Sequence, residues 1–375
     1  MIARIIENQI KEHLDKQKAI LLFGARQVGK TTLLENCNFL KKRKTLFLSG
    51  DEADIKEMLS DTTSKKLEHL FMGYDTVVID EAQEIRNIGT TIKLITDKLK
   101  HIQLIATGSS AFELANRTSE PLTGRKYEFM LFPLSFAEMV KHHGFLEEKR
   151  LLEIRMIYGY YPEIVTKQGE EEKHLKLIAN SYLYKDLLRL GEIRRTDLLE
   201  KILKALALQI GCEVSYNELA QLCGTDSKTI GRYIDMLTKA YIIFILPAYN
   251  KNVRNEIKKG KKIYFWDNGI RNAVIGSFKN VVSHRTDIGQ LWENFLISER
   301  IKYNIYLQKK VKNYFWRTTQ QQEIDFIEEH DESFNVYEFK WNKNAKAKIP
   351  LTFSSAYKVD KFEKITPANI EDFLL

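Results

Sequence analysis

An α/β architecture is the fold class this chain predicts: a parallel sheet covered by helices, followed by smaller helical and mixed units. Three observations predict it. The first third alternates short apolar or β-branched runs with helical patterns, the signature of a parallel sheet with helical crossovers. The first of those runs leads straight into a glycine-bounded loop of the phosphate-binding pattern and then into a helix. With 375 residues the chain exceeds a single ordinary core of roughly 100 to 200 residues, so about two to four domains are expected.

The strand candidates of the first third are residues 19–23, 45–49, 76–80, 102–107 and 127–132. Residues 134–194 turn helical and charged, interrupted at Gly159-Tyr160-Tyr161-Pro162. Between 196 and 285 come three helical stretches and then two apolar β runs, 242–249 and 263–266, flanking a basic tip. Helices followed by a hairpin suggest a winged helix. From 286 onward a helix around 292–303 precedes strand-like runs at 313–317, 323–327 and 335–340, a second α/β unit.

Composition excludes several classes. Hydrophobic residues at 44% and charged residues at 29% match a folded globular chain, not a disordered or fibrous one. No apolar run approaches the roughly 18 residues of a membrane span. The longest candidate, 240–248, is broken by Pro247, and the first residues lack the apolar stretch of a secretory signal. A cytoplasmic location with no membrane partner is the expectation. Cys37, Cys212 and Cys223 show neither metal-ligand spacing nor a paired framework, and plain buried thiols are expected. The net charge of +8 leaves anionic partners open.

The loop Gly24-Ala25-Arg26-Gln27-Val28-Gly29-Lys30-Thr31 satisfies the phosphate-loop pattern in full, and Thr32 opens the following helix. Glycines at both ends let the backbone curl so that its N–H groups and the helix N-terminus face anionic oxygens. Lys30 would reach the β and γ oxygens of a nucleotide, and the Thr31 hydroxyl would ligate Mg²⁺. Downstream, Val77-Val78-Ile79-Asp80-Glu81 is an apolar strand ending in two acids. Asp80 would hold the Mg²⁺ through water, and Glu81 would act as general base on the attacking water. The pattern thus points to hydrolysis as well as binding.

These two motifs, with the polar strand end Thr107-Gly108-Ser109-Ser110 and Leu122-Thr123-Gly124-Arg125 before a further strand, resemble an AAA+ ATPase. More narrowly, the chain resembles the prokaryotic AAA+ family whose ATPase core is followed by a C-terminal domain of unknown function. Leu131-Phe132-Pro133-Leu134-Ser135-Phe136 and the Gly159–Pro162 turn extend the likeness. The resemblance implies ATP as the nucleotide and Ser109 as the sensor of the γ-phosphate, with Thr107 and Ser110 as rivals. It also implies Arg125 as an arginine finger acting on the adjacent subunit, hence a homo-oligomer with a ring as the expected arrangement. No second-sensor arginine is assigned; Arg155 and Arg189 are candidates.

Residues 196–285 carry 14 Lys and Arg against 8 Asp and Glu, a net of +6, so most of the chain's excess charge lies here. Ser215-Tyr216-Asn217-Glu218 reads as a capping box opening one helix, and Gly224 ends it. Asp226 or Ser227 can cap a second helix with Ile230, Ile234 and Leu237 on its core face. Lys228, Thr229 and Arg232 lie off that stripe, where a recognition helix would meet DNA. Lys251, Arg254, Lys258, Lys259, Lys261 and Lys262 form the wing tip, expected on the phosphate backbone.

Near the C-terminus, Asp325 is followed after twelve residues by Glu338-Phe339-Lys340. In a hairpin the two acids would converge on one Mg²⁺, and Lys340 shares a face with Glu338 because strand side chains alternate. The segment looks like a PD-(D/E)xK nuclease-type, restriction-endonuclease-like fold, and Glu293, Asp325, Glu338 and Lys340 match that pattern. The expected division is an AAA+ core over 1–135, a helical lid over 136–195, a winged helix-turn-helix over 196–285 and a nuclease-like domain over 286–375. The order of core, lid and winged helix is similar to the bacterial branch-migration motor, so duplex or branched DNA is the expected partner. Two rival expectations are an ATP-gated switch in stress response or phage defence that docks a protein, and an ATP-dependent Mg²⁺ nuclease.

Overall fold

The computed structural model describes residues 2–109, 122–179, 195–250, 260–278 and 285–375. They fall into two compact units, the first built on residues 2–133 with 239–241, the second on the remaining described residues from 134 onward.

The first unit is a five-stranded parallel sheet of β1 (Ala19–Phe23), β2 (Thr45–Ser49), β3 (Thr76–Asp80), β4 (Gln103–Gly108) and β5 (Lys126–Met130), in the order β2-β3-β4-β1-β5. β1 reads Ala-Ile-Leu-Leu-Phe without a polar residue because a central parallel strand is covered on both faces, and all five residues are buried. The helix Ile88–Lys98 lays Ile88, Ile92 and Ile95 on the sheet's Val77, Ile79 and Leu104. Since β4 lies between β1 and β3, the loop after β1 and the acids ending β3 stand about two strand spacings apart, roughly 10 Å. Both lie at the carboxyl ends of their strands, with the end of β4 between them. β5 starts one residue earlier than the apolar run suggests and stops at Met130, although Leu131 N–H still donates to Phe23 O at 2.7 Å.

The second unit opens with the helix Phe136–His143, whose capping box is complete between Ser135 and Glu138. The Gly159 turn depends on glycine twice over. Its φ is +72°, and a Cβ there would stand 2.1 Å from a carboxylate oxygen of buried Asp267. That carboxylate accepts Tyr160 N–H at 2.6 Å and Ile270 N–H at 3.1 Å, tying the turn to the start of the helix Asn268–Ile275. Burial pushes its pKa above the ordinary aspartate value, against those backbone donors.

The helices Tyr216–Cys223 and Ser227–Lys239 are joined by Gly224 in the left-handed conformation. Asp226 caps the second, accepting Thr229 N–H at 2.8 Å; at the first, Ser215 Oγ accepts Glu218 N–H at 3.4 Å. β6 (Ile243–Pro247) and β7 (Lys261–Phe265) pair antiparallel, and Val214 N–H bonds Lys261 O at 2.8 Å, laying a short third segment alongside. Cys37 and Cys223 are buried thiols as expected, but Cys212, on the polar turn after the helix Thr196–Leu208, is exposed.

The last sheet orders as β11-β10-β9-β8, from β8 (Lys312–Arg317), β9 (Glu323–His330), β10 (Ser333–Phe339) and β11 (Val359–Ile365). β8, β9 and β10 are antiparallel, whereas β11 joins β10 in parallel. The helix Ile288–Tyr306 runs longer than its apolar pattern predicted. Its Asn294 side chain exchanges two hydrogen bonds with the Phe265 backbone, as a neighbouring strand would, at 2.8 and 3.0 Å. That locks the helix to β7. Trp316 packs edge-on to Phe353 in the core of this sheet, a packing residue.

Candidate active site

Where β1 ends, the chain must turn back within van der Waals distance of β5. A Cβ on Gly24 would lie 2.2 Å from Leu131 O, so only glycine passes. Gln27 and Gly29 then take positive φ, +61° and +94°, and the loop curls into the helix Lys30–Asn36. Ala25, Val28 and Lys30 are buried, Arg26 and Gln27 half-buried, and Thr31 and Thr32 exposed. Lys30 Nζ donates to Gly24 O at 2.9 Å and Ala25 O at 3.0 Å, so the ammonium sits inside the loop. The curled backbone and the enclosed ammonium fit an anionic polyphosphate.

The acids meet this loop. Thr31 Oγ1 donates to Asp80 Oδ2 at 2.7 Å, joining the helix start to the end of β3. A hydroxyl and a carboxylate in contact form the oxygen donor set that Mg²⁺ takes beside phosphates. Thr107, one of the rival sensors, donates its hydroxyl to Asp80 Oδ1 and accepts Glu81 N–H at 3.1 Å. Thr107 therefore holds the Asp80 carboxylate and the Glu81 backbone from β4. Ser109 is buried just beyond, and Ser110 lies outside the described residues. Glu81 adopts a left-handed conformation at φ +48° and ψ +43°, and its carboxylate accepts from Gln83 Nε2. Gly50 gives the acids room: its N–H donates to Asp80 O at 2.7 Å, and a Cβ there would stand 2.4 Å from Glu81 O.

Arg4 is a residue that sequence reasoning missed. The residue is only 8% exposed, and its guanidinium donates to Val28 O at 2.8 Å and to Phe132 O at 2.5 Å, bracing the phosphate loop against the end of β5. Hydrogen bonds from a charged donor contribute about 1.5–3 kcal/mol each. Arg4→Ala is expected to weaken nucleotide binding about tenfold, the equivalent of ~1.4 kcal/mol. A fluorescent-nucleotide titration checks it, and unchanged affinity would mean the loop holds its shape without this brace.

Arg125 cannot reach its own phosphate loop. It precedes β5, whose Lys126 pairs with Ala19 at the start of β1, so about 20 Å of strand separate it from Gly24. Its Nε donates to Asp97 Oδ1 at 2.7 Å, which raises the arginine pKa and lowers that of Asp97. Of the second-sensor candidates, Arg155 is buried against Glu148 at 3.2 Å and Arg189 lies outside the described residues.

On the helix Ser227–Lys239, Lys228 and Arg232 are exposed and Thr229 is half-buried, its hydroxyl donating to Asp226 at 2.7 Å. Of the basic tip, Lys251, Arg254, Lys258 and Lys259 lie outside the described residues, and Lys261 places its ammonium 5.6 Å over the Tyr216 ring. Lys262 corrects the expectation. It is 1% exposed and turned inward, 3.0 Å from Glu293 and 2.6 Å from Glu323, and so is not available to a phosphate backbone. Burial disfavours its charge, but the two carboxylates outweigh burial and leave its pKa above the ordinary lysine value.

The C-terminal acids do converge. Lys340 Nζ lies 2.7 Å from Glu338 and 3.8 Å from Asp325, while Asp325 accepts Phe339 N–H at 2.8 Å. Burial raises the Asp325 pKa, and the nearby Glu293 and Glu338 charges add to it against Lys340. Tyr264 Oη donates to Glu293. Two lysines thus serve a group of four acids. Among the described residues, no group of three or more His, Cys, Asp or Glu side chains is arranged to hold a metal ion.

Comparison with known proteins agrees with the first unit. Residues 16–140 match a family model described as an AAA domain. Residues 149–280 and 288–369 match two further models, each described as a domain of unknown function (DUF8612 and DUF4143). Among curated proteins, the chain is 25% identical over 352 residues to "Uncharacterized protein Rv2008c" of Mycobacterium tuberculosis, covering 93% of this chain and 75% of that protein. It is 22% identical over 293 residues to an uncharacterized protein of Haemophilus influenzae, covering 72% of each. It is also 25% identical over 353 residues to "Uncharacterized protein MJ1637" of Methanocaldococcus jannaschii, covering 83% of this chain and 72% of that one. A chain in the structure of Drosophila ORC bound to AT-rich DNA and Cdc6 aligns at 9% identity with a TM-score of 0.27, covering 72% of this chain and 90% of that one. The AAA-domain match and the parallel sheet ending in a phosphate loop together support an ATPase of the AAA+ type. No helix among the described residues is long and apolar enough to cross a membrane.

Proposed function

We propose that this chain is an oligomeric ATPase that hydrolyses ATP with Mg²⁺ and applies the energy to duplex or branched DNA. The observation that carries the reading is the meeting of Lys30, Thr31, Asp80, Glu81 and Thr107 at the ends of β1, β3 and β4. Thr31 and Asp80 would hold a Mg²⁺ ion, which would supply charge neutralisation on the triphosphate. Lys30 exchanges its loop carbonyls for phosphate oxygens, and Glu81 takes the proton of the attacking water. Arg125, remote from its own loop, acts on a neighbouring subunit after leaving Asp97, which makes the oligomer part of the site.

The domain reading is a core over 1–135, a helical lid over 136–195, a winged helix over 196–285 and a restriction-endonuclease-like domain over 286–375. The paired helices, the β6–β7 hairpin and the segment at Val214 support the winged helix, with exposed Lys228 and Arg232 as DNA contacts. The acid–lysine centre of the last domain is read as an ionic junction in preference to a nuclease site, because Lys262 and Lys340 already neutralise its acids.

Fluorescence anisotropy with labelled duplex tests the DNA half of the reading. Affinity is expected to fall steeply between about 50 and 200 mM salt, and Lys228→Ala with Arg232→Ala to reduce the salt slope by roughly 2. No binding at low salt would contradict the DNA assignment and favour the protein-docking switch.

A further inference from the structure

Two local irregularities meet on one pair of side chains after β3. Glu81 occupies left-handed backbone space, unusual for a residue with a Cβ. Gln83, in the short 3₁₀ turn Ala82–Glu84, donates Nε2 to the Glu81 carboxylate while its Oε1 is buried with no hydrogen-bond partner among the described residues. The two facts explain each other. A carboxylate that serves as a base only accepts, so the amide must present its NH₂ group to Glu81, and that choice leaves the oxygen without a partner among the described residues. A buried acceptor left unmade costs about 1–3 kcal/mol. Strained backbone and unsatisfied groups persist where the surroundings hold a functional geometry in place.

The base itself has little else to fix it. Its amide is held by Thr107 and its carbonyl accepts Glu84 N–H at 3.0 Å, so the backbone is pinned while the carboxylate takes its direction from the side chain that touches it. We propose that Gln83 is the positioning residue for the general base, holding the Glu81 carboxylate in one rotamer so that it meets the attacking water without reorganising. The inference rests on the ATPase reading above and adds a residue to it. A group that orients a base acts on turnover and not on ground-state binding, so its loss appears in kcat with KM preserved.

The test compares the full chain with Gln83→Met, which keeps side-chain length and removes both polar atoms, and Gln83→Glu, which keeps the shape and replaces the donor with a like charge. Under saturating Mg²⁺ and ATP, Gln83→Met is expected to lower kcat at least about tenfold with KM for ATP within about twofold of wild type. Gln83→Glu, which cannot donate to the Glu81 carboxylate and sets a like charge against it, is expected to lower kcat at least as much with KM for ATP again within about twofold. A structural role alone, which would loosen nucleotide binding as well, does not spare KM. Wild-type kcat in Gln83→Met, faster turnover than wild type, or a loss of kcat matched by an equal loss of ATP affinity overturns the inference. A wild-type chain without ATP turnover overturns the ATPase reading instead, and Glu81→Gln run in parallel separates the two.

Discussion

If Glu81 is the base proposed above, Glu81→Gln is expected to bind ATP as tightly as the wild type and to turn it over at least about 100-fold more slowly, the usual loss when a general base is removed. The reasoning starts from shape. Glutamine keeps the volume and can keep the contact with Gln83, so the left-handed turn after β3 and the Thr107–Glu81 hydrogen bond survive. In the proposed site binding rests on Lys30, the loop amides and Thr31, none of which the change touches. Only the capacity to accept a proton is lost. Lys30→Ala behaves oppositely, losing nucleotide affinity first. Fluorescent-nucleotide titration and steady-state phosphate release separate the two variants, and wild-type turnover in Glu81→Gln would remove Glu81 from the role of base.

Lys262→Met is expected to destabilise the second unit by about 3 kcal/mol, the lower end of the range for breaking a buried ion pair because Glu323 is 31% exposed. The lysine is 2% exposed at its side chain and serves Glu293 and Glu323 together, so its removal leaves two acids beside each other and near Asp325. Adding Glu293→Gln is expected to recover part of the loss, because it removes one of the two acids left without a counter-charge. Urea unfolding of the single and double variants measures this. A deficit below about 1 kcal/mol that Glu293→Gln does not change would mean that Lys262 reaches solvent and is free to meet DNA.

How far the sequence could be read depended on how local each signal was. The phosphate loop and the Asp80–Glu81 strand end are contiguous motifs, and their strands lie where alternation and apolar runs place them. Thr107 was visible as a rival to Ser109, but only the order β3-β4-β1 shows why a hydroxyl at the end of β4 reaches Asp80. Arg4 was invisible because its partners stand 24 and 128 residues away, and no pattern near residue 4 announces them. Lys262 was legible in part: Lys261 and Lys262 are adjacent on a strand, so alternation sends one inward, yet basic composition alone placed both on a solvated tip. β11 escaped notice because Val-Asp-Lys-Phe-Glu-Lys-Ile is charged at four of its seven positions, as an edge strand permits.

The central claim is tested most directly by steady-state ATP hydrolysis of the purified chain with Mg²⁺, alone and with single-stranded, duplex and four-way-junction DNA, at two salt concentrations. Turnover that requires Mg²⁺ and rises with one DNA form, the stimulation fading as salt screens the contact, is the predicted result. A chain that binds ATP but hydrolyses none, with or without any DNA, would contradict the account.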